Sequence, residues 1–336
     1  MDLPKNRWTP GRWIRALAAL LLSAAAAPAV SASDRVGILV MAHGGDASWN
    51  QAVEEAVAPL RAFCPARLAL GMADRDSLQS GIDRLRDQGV DRIAVVRLFV
   101  SAESFREQTE YFLRLRDRPP THFLVHGGHV EAAPDSGSGA THAPGGHFGQ
   151  PRFVSSLQHP IPPVETAAAL TLNREGLYDA PEMGEVMVRR VLKLSRDPSA
   201  EAVLVLAHGE GDDHVNRQWM VRLGELAEAI REAAPFREVR VETLREDWRE
   251  KREPAERRIR EFVASAGRQG RVIVVPFRVH GFGPYHEVLK GLEYAADGRG
   301  LLPSPEVTEW IRNQAEDSFR RAGWPSPFPA HAPEDE

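Results

Sequence analysis

The sequence predicts an α/β protein with two duplicated parallel-sheet domains, and three observations support this prediction. The length of 336 residues suits about two domains. Continuous apolar runs of strand length alternate with amphipathic helical segments in both halves. The stretch "GILVMAH" at residues 37–43 is followed much later by the similar stretch "VLVLAHG" at residues 203–209. A repeated unit of strand, loop and helix is therefore the main feature of the chain.

The first half contains three predicted strands separated by two predicted helices. In order, these segments read "RVGILVMAH", "SWNQAVEEAVAPLRAF", "ARLALGMA", "DSLQSGIDRLRDQG" and "VDRIAVVRLFV". The strands are continuously apolar, which is typical of strands that are covered on both faces. Alternation of this kind predicts a parallel sheet with right-handed crossovers and a ligand crevice at the carboxyl ends of the strands.

The second half repeats the same order of elements. Its segments read "EAVLVLAHG", "NRQWMVRLGELAEAIREAA", "EVRVETL", "EPAERRIREFVASAG" and "RVIVVPFRV". His43 and His208 are 165 positions apart, which is far longer than the period of a solenoid repeat and indicates domain duplication. Each histidine follows a buried strand and precedes an acidic loop, an asparagine (Asn50, Asn216) and a helix.

The chain begins with the pattern of a secretory signal peptide. Basic residues at positions 5, 7, 12 and 15 precede the apolar run "ALAALLLSAAAAPAV" and the small residues that end at Ala32. We expect cleavage after Ala32, with Val30 and Ala32 recognised by the peptidase, and a periplasmic or secreted mature protein with no membrane association. The alternative is an uncleaved anchor, but about 15 apolar residues are fewer than the roughly 20 that span a bilayer.

Composition excludes some partners and sites. The net charge of -5, from 42 basic and 47 acidic residues, gives no basis for nucleic-acid binding, which needs a clustered basic face. A single cysteine, Cys64, excludes an internal disulfide and a cysteine-rich zinc site. The sequence leaves the oligomeric state open.

A segment rich in Gly, Pro and Ser separates the two halves. The predicted organisation is a signal peptide at 1–32, an N-terminal domain at 33–125, a linker at 126–163, a C-terminal domain at 164–328 and a tail at 329–336. The linker carries five histidines without regular spacing, so a metal-collecting loop and a plain solvated linker both remain open. These histidines are His126, His129, His142, His147 and His159.

The segments "VLVLAHG", "VIVVPFRVHGFGPYHEVLKGLEY" and "GLLPSPEVTEWI" resemble the sirohydrochlorin chelatase family. That family is similar to the class II ferrochelatases and to the cobaltochelatases of anaerobic cobalamin synthesis. The resemblance implies two flavodoxin-like halves that face each other across a cleft. It also implies insertion of Co²⁺, Fe²⁺ or Ni²⁺ into a tetrapyrrole such as sirohydrochlorin without a nucleotide, with Co²⁺ as the expected metal substrate.

The same resemblance implies a ligand set at the carboxyl ends of three strands of the second half. His208, Glu242 and His280 are the expected metal ligands, and His43 is expected to join His208 and His280 in catalysis. Neutral imidazole binds borderline metal ions and accepts pyrrole protons, while a carboxylate adds a hard ligand or a proton exit.

The first half departs from this set. We expect Met72 near the level of Glu242 and Ser101 opposite His280, so that only His43 is retained. The first half is then a lid or scaffold, in which Glu103 is the one nearby group able to replace a lost ligand.

Several alternatives stand beside these assignments. The histidines of the "AHG" loops could serve only to bridge backbone groups in tight turns, and Arg245 could meet a tetrapyrrole carboxylate. His286 and Tyr285 are expected to begin a helix. Because export separates the protein from cytoplasmic sirohydrochlorin, a non-enzymatic periplasmic protein that binds metal or tetrapyrrole is the main alternative function. A hydrolase with zinc-bound water at His208 and His280 is a third.

Overall fold

The computed structural model describes residues 35–125 and 152–329. The predicted signal peptide, four of the five linker histidines and most of the predicted tail lie outside these ranges. Within them, the strands in chain order are β1 (Val36–Ala42), β2 (Ala66–Leu70), β3 (Arg92–Arg97), β4 (His122–Val125), β5 (Arg152–Ser155), β6 (Ala169–Leu172), β7 (Glu201–Ala207), β8 (Glu238–Thr243) and β9 (Arg271–Phe277).

The helices connect these strands in the predicted alternation. In chain order they are α1 (Ala47–Val57), α2 (Arg75–Arg86), α3 (Arg106–Phe112), α4 (Glu182–Leu194), α5 (Asp213–Ala233), α6 (Arg249–Gly267), α7 (Tyr285–Val288) and α8 (Pro305–Ala322). Helix α7 begins at Tyr285, as the sequence predicts. None of the helices in the described ranges is both long and apolar enough to cross a membrane.

Two parallel sheets confirm the predicted fold class. The first has the strand order β2-β1-β3-β6 and the second has the order β8-β7-β9. The central strands β1 and β7 are buried along their whole length, which explains their continuous apolar sequences. Each of these strands leads directly into its histidine, so His43 and His208 lie at the carboxyl edges of the two sheets.

The core lies in three apolar layers. A shared cluster joins side chains of both sheets, including Val40 and Val205, with side chains from α1, α4, α5 and α8. A second cluster lies between the first sheet and α2, and a third lies between the second sheet and α6. Because one cluster contains buried residues of both halves, the halves fold as one packed body.

The chain crosses between the halves more often than the sequence suggests. Strand β6 pairs with β3 in the first sheet, although the predicted boundary at residue 164 assigns it to the C-terminal domain. Helix α8, at the end of the chain, packs on β3 and α1, while α4 packs on α5 and β9. A linear domain boundary therefore does not describe this fold, because the first sheet includes β6 and packs against α8, both of which come from the second half of the sequence.

Part of the predicted linker is also folded. Within residues 126–163, strand β5 pairs antiparallel with β4, and the pairing extends from His122 with Ser155 to Val125 with Arg152. His159 lies on the surface after this strand, and its backbone N–H donates to the carbonyl of Ser155 over 2.9 Å. The other four linker histidines are outside the described residues.

Candidate functional site

The two histidine loops have the same local structure. The Nδ1 atom of His43 lies 2.5 Å from the carbonyl oxygen of Gly44, and that of His208 lies 2.8 Å from the carbonyl oxygen of Gly209. A carbonyl only accepts hydrogen bonds, so Nδ1 carries the proton in both rings and the lone pair of the neutral ring is on Nε2. Both glycines have positive φ angles, 81° and 79°, which most other residues adopt only with strain.

An asparagine fixes each loop to the following helix. The side-chain oxygen of Asn50 accepts from the N–H of Gly45, and that of Asn216 accepts from the N–H of Glu210, each over 3.0 Å. Asp46 and Asp212 then cap the N-termini of α1 and α5. The repeated motif of histidine, glycine, acid and asparagine is thus a repeated structure.

His208 forms an ion pair with a carboxylate that the sequence analysis does not identify. Its Nε2 lies 3.1 Å from Oδ2 of Asp247, which follows strand β8. Trp248 contacts the imidazole edge-on at a centroid distance of 5.9 Å, and Trp219 lies at 6.4 Å. Three kinds of group therefore surround this imidazole: a carboxylate, a backbone carbonyl and two indole rings.

The electrostatics of this pair favour a charged histidine. Burial lowers the pKa of His208, but the hydrogen bond to Asp247 and the charges of Glu246 and Asp247 outweigh it, so the pKa lies above its ordinary value of 6.5. The same hydrogen bond lowers the pKa of Asp247 below 3.8, against the effect of burial. Near neutral pH, a metal ion that binds His208 must therefore compete with a proton.

Glu242 does not lie with His208. Its carboxylate contacts Nε of Arg240 at 3.1 Å and Nε of Arg258 at 3.6 Å, on the face of β8 that α6 covers. Side chains alternate along a strand, so Glu242 shares a face with Arg240 two residues earlier. The carboxylates that do approach His208 come from the loop after the strand, where Glu246 and Asp247 lie.

Arg245 also has a different position from the predicted one. Its guanidinium donates to the carbonyls of Glu210 and Gly211 and to Oδ1 of Asp213 at 2.7 Å. Its backbone N–H donates to the carbonyl of His208 at 2.7 Å, and its φ angle is 59°. Arg245 therefore holds the His208 loop in place, with Nε and both terminal nitrogens each hydrogen-bonded to that loop or to the start of α5.

His280 follows β9, and its charge acts on Asp46 of the first half. Hydrogen bonds from Trp49 N–H and Ser48 lower the pKa of Asp46, and the charge of His280 lowers it further. Similarly, the charge of His43 in the first half contributes to the lowered pKa of Asp247 in the second half. These two interactions show that Asp46 lies within range of the charge of His280 and Asp247 within range of His43, so side chains of the two histidine loops lie near each other.

Strand register shows which positions of the halves correspond. Met41 pairs with Arg97 and Leu206 with Pro276, so Ser101 and His280 are both four residues beyond matched positions, as predicted. Ala42 pairs with Leu70 and Ala207 with Thr243, so Met72 matches Arg245 and not Glu242. Met72 has a positive φ of 52°, like its counterpart.

The first half carries a hydroxyl cluster where the second carries His280. Oγ of Ser101 lies 3.0 Å from the hydroxyl of Tyr178 and accepts from the N–H of Glu103 at 3.1 Å. The carboxylate of Glu103 contacts Arg106 at 3.3 Å. The ring of Tyr178 packs edge-on against Trp219, which is also the neighbour of His208.

The predicted ligand set is not assembled as three neighbouring side chains. Across residues 35–125 and 152–329, no group of three or more His, Cys, Asp or Glu side chains is arranged to hold a metal ion. Cys64 is buried, and burial raises its pKa to about 12, so its thiol is protonated at neutral pH. His286 is exposed, and its Nδ1 lies 3.3 Å from the Tyr294 hydroxyl.

Comparison with known proteins supports the fold. No protein-family model matches the sequence, and no curated protein sequence was found to match it. Among solved structures, SirB from Bacillus subtilis with Fe³⁺ is similar, with a TM-score of 0.56 and 12% identity over 87% of this chain and 99% of SirB. The cobalt complex of the sirohydrochlorin chelatase SirB from Bacillus subtilis subspecies spizizenii has a TM-score of 0.52 and 12% identity, over 86% of this chain and 97% of SirB.

A longer protein is also similar in part. A multi-domain protein from Deinococcus radiodurans, described as structurally similar to chelatases, matches with 16% identity and a TM-score of 0.49. The match covers 84% of this chain and 55% of that protein. The two SirB structures show that this chain has a chelatase-like fold with parallel sheets.

Proposed function

We propose that this protein inserts a divalent metal ion, with Co²⁺ as the expected substrate, into a tetrapyrrole such as sirohydrochlorin. The observation that carries the proposal is the pair of histidine loops, in which a backbone carbonyl fixes Nδ1 of His43 and of His208. Fixing one ring nitrogen in this way orients the other as a metal ligand or a proton acceptor. The chelatase-like fold adds support.

In the proposed reaction, His208 and His280 deliver the metal ion, and Asp247 replaces Glu242 as the carboxylate partner. The ion approaches His208 on Nε2, so the ion pair with Asp247 must open and the imidazole must lose its proton. Insertion then forms bonds from the ion to the pyrrole nitrogens and releases two protons from the tetrapyrrole. We assign the acceptance of these protons to His43, because the carbonyl of Gly44 holds its Nδ1 and leaves the lone pair of the neutral ring on Nε2.

The test is a spectroscopic assay of metal insertion. Purified mature protein is mixed with sirohydrochlorin and Co²⁺, and the visible spectrum is followed, because insertion shifts the absorption bands. We expect a rate above the protein-free reaction in the wild type and at least a tenfold lower rate in His208→Ala. A matched control is His122→Ala, which removes an exposed histidine at the start of β4. Equal rates with and without the protein would refute the proposed activity.

The main alternative is capture of metal or tetrapyrrole without turnover. It is favoured by the charged His208–Asp247 pair and by the lack of a three-ligand group in the described residues. Under this alternative, calorimetry would show binding of the tetrapyrrole, while the spectrum with Co²⁺ would remain that of the metal-free ring. The same assay therefore separates the two functions.

We also propose that the protein is exported and cleaved after Ala32. Strand β1 begins at Val36, so cleavage at this position leaves the first sheet intact. N-terminal sequencing of the protein recovered from the periplasm or the medium tests this, with Ser33 as the expected first residue. An intact N-terminus in the membrane fraction would support the uncleaved anchor instead.

A further inference from the structure

A cavity of about 320 Å³ lies away from the histidine loops, and three of its lining side chains are arginines. Arg106 comes from α3, Arg174 follows β6, and Arg321 comes from the last turn of α8. None of the residues that line it belongs to the two histidine loops. Its volume is at the lower end of the range for small-molecule sites, so it suits a small ligand.

A buried arginine lies next to this cavity and has no carboxylate partner in the described ranges. Arg97 is 1% exposed, and its guanidinium donates to the carbonyls of Ser104 at 3.1 Å and of Asn173 at 3.4 Å. Its Nε is buried without a hydrogen-bond partner. Asn173 both lines the cavity and accepts from Arg97, so the buried cation lies directly beside the cavity wall.

The local charges leave this region positive. Arg106 is paired with Glu103 and Glu110, and Arg321 is paired with Asp317. Arg174 is exposed and, like Arg97, makes no ion pair within the described residues. Burial, together with the nearby charge of Arg106, lowers the pKa of Arg97 to about 10. An uncompensated buried charge is unfavourable, so a bound anion here would stabilise the folded protein.

The chemistry of the lining indicates the class of anion. Guanidinium groups bind carboxylates through paired, charge-assisted hydrogen bonds. Leu115, Leu172 and Ala322 supply apolar surface on the same cavity. This surface suits the carbon skeleton of an organic acid better than an inorganic ion, and Glu110 in the lining disfavours the higher charge density of phosphate.

We propose that the cavity bounded by Arg106, Arg174 and Arg321 binds a small organic acid through its carboxylate. Arg174 is the side chain best able to close on the ligand, because it is exposed and engaged in no ion pair with a described residue. The carboxylate can come from a free acid or from an acidic side chain of a larger molecule such as a tetrapyrrole. The tetrapyrrole as a source of the carboxylate rests on the proposed function, whereas the free acid does not.

Calorimetric titration of the full mature protein with succinate is the first test. We expect binding of succinate, no binding of the neutral analogue succinamide, and at least tenfold weaker binding in Arg174→Ala. Arg268→Ala is the matched control, since Arg268 is an exposed arginine after α6 in the other half. Failure of the wild type to bind succinate, or equal affinity of the wild type and Arg174→Ala, would overturn the proposal.

A second variant fills the cavity without changing charge. Leu115 lines the cavity and is 46% exposed, so Leu115→Trp should reduce succinate binding while the fold is kept. Leu157→Trp, at a position that is 92% exposed and elsewhere on the surface, is its control. Unchanged binding in Leu115→Trp would place the succinate elsewhere and refute the site.

Further titrations identify the source of the carboxylate. Weaker binding of uroporphyrin to Arg174→Ala would indicate that a tetrapyrrole side chain uses the cavity, and unchanged binding would indicate a free acid. Inorganic phosphate that binds more tightly than succinate would contradict the assignment of the class. Succinate binding should be retained in His208→Ala. A failure of the proposed metal insertion can therefore be distinguished from a failure of the proposed acid site.

Discussion

His208 and Asp247 form an ion pair, with Nε2 and Oδ2 at 3.1 Å, at the carboxyl edge of the second sheet. The pair joins the loop after β7 to the loop after β8, and the carbonyl of Gly209 fixes the other ring nitrogen. Both nitrogens of the charged ring are therefore engaged. Under the proposed function, the pair has to open before Nε2 can bind a metal ion.

Removing the carboxylate should lower the pKa of His208. In Asp247→Asn the effect of burial is no longer outweighed by the ion pair, so we expect the pKa to fall from above 6.5 toward or below that value. NMR titration of the histidine ring protons in the metal-free protein measures this change. Glu293→Gln, which removes an exposed carboxylate of the same half, should leave it unchanged. A His208 pKa that is identical in the wild type and Asp247→Asn would contradict the assignment.

The ion pair should also give stability a defined dependence on pH. The raised pKa of His208 contributes stability below pH 6.5 that is lost as pH rises through the folded-state pKa. The lowered pKa of Asp247 contributes stability above pH 3.8 that is lost as pH falls through its folded-state pKa. The stability difference between the wild type and Asp247→Asn should therefore be largest between these two values. Urea unfolding at several pH values tests this, and a difference that grows above pH 8 would disagree with it.

The asparagine of each histidine loop should matter for stability through its acceptor oxygen. Asn216→Ala leaves the N–H of Glu210 and the hydroxyl of Thr243 without their acceptor, at a cost of about 1–3 kcal/mol in unfolding free energy. Asn216→Asp keeps an oxygen at that position and should lose less. Denaturant unfolding compares the two, and equal losses would show that the acceptor is not what stabilises the loop.

Deleting about residues 132–150 should change the melting temperature little. Val125 and Arg152 are paired across β4 and β5. The two strands that flank the deleted segment are therefore adjacent, and a short connection can join them. Differential scanning calorimetry of the deletion variant measures the effect. A fall of more than several degrees would show that the removed segment contributes to the core.

The sequence was sufficient to predict the parts of the fold that depend on local patterns. Buried parallel strands such as β1 and β7 are continuously apolar. The residue after each histidine has a positive φ, which favours glycine at that position. These signals are local, and so the two histidine loops were predicted correctly. The corresponding positions of Ser101 and His280 also followed from aligned strands.

The positions that were predicted incorrectly depend on non-local or unusual geometry. Glu242 is in the strand, and the alternation of side chains turns it toward α6, while Asp247, the carboxylate that contacts His208, lies beyond a turn in which Arg245 has a φ of 59°. Left-handed conformations of residues other than glycine leave little sequence signal. The pairing of β6 with β3, and the packing of α8 on the first sheet, join segments that are far apart in the chain.

The most direct test of the proposed metal site is calorimetric titration with Co²⁺ of the wild type, His208→Ala, His280→Ala, His43→Ala and Glu242→Gln. If the second half holds the ion, His208→Ala and His280→Ala should each lose at least tenfold in affinity, since even changes beyond the ligands cost 10–100-fold. His43→Ala and Glu242→Gln should bind Co²⁺ nearly as the wild type does. A loss confined to His43→Ala would contradict this assignment and place the ion in the first half.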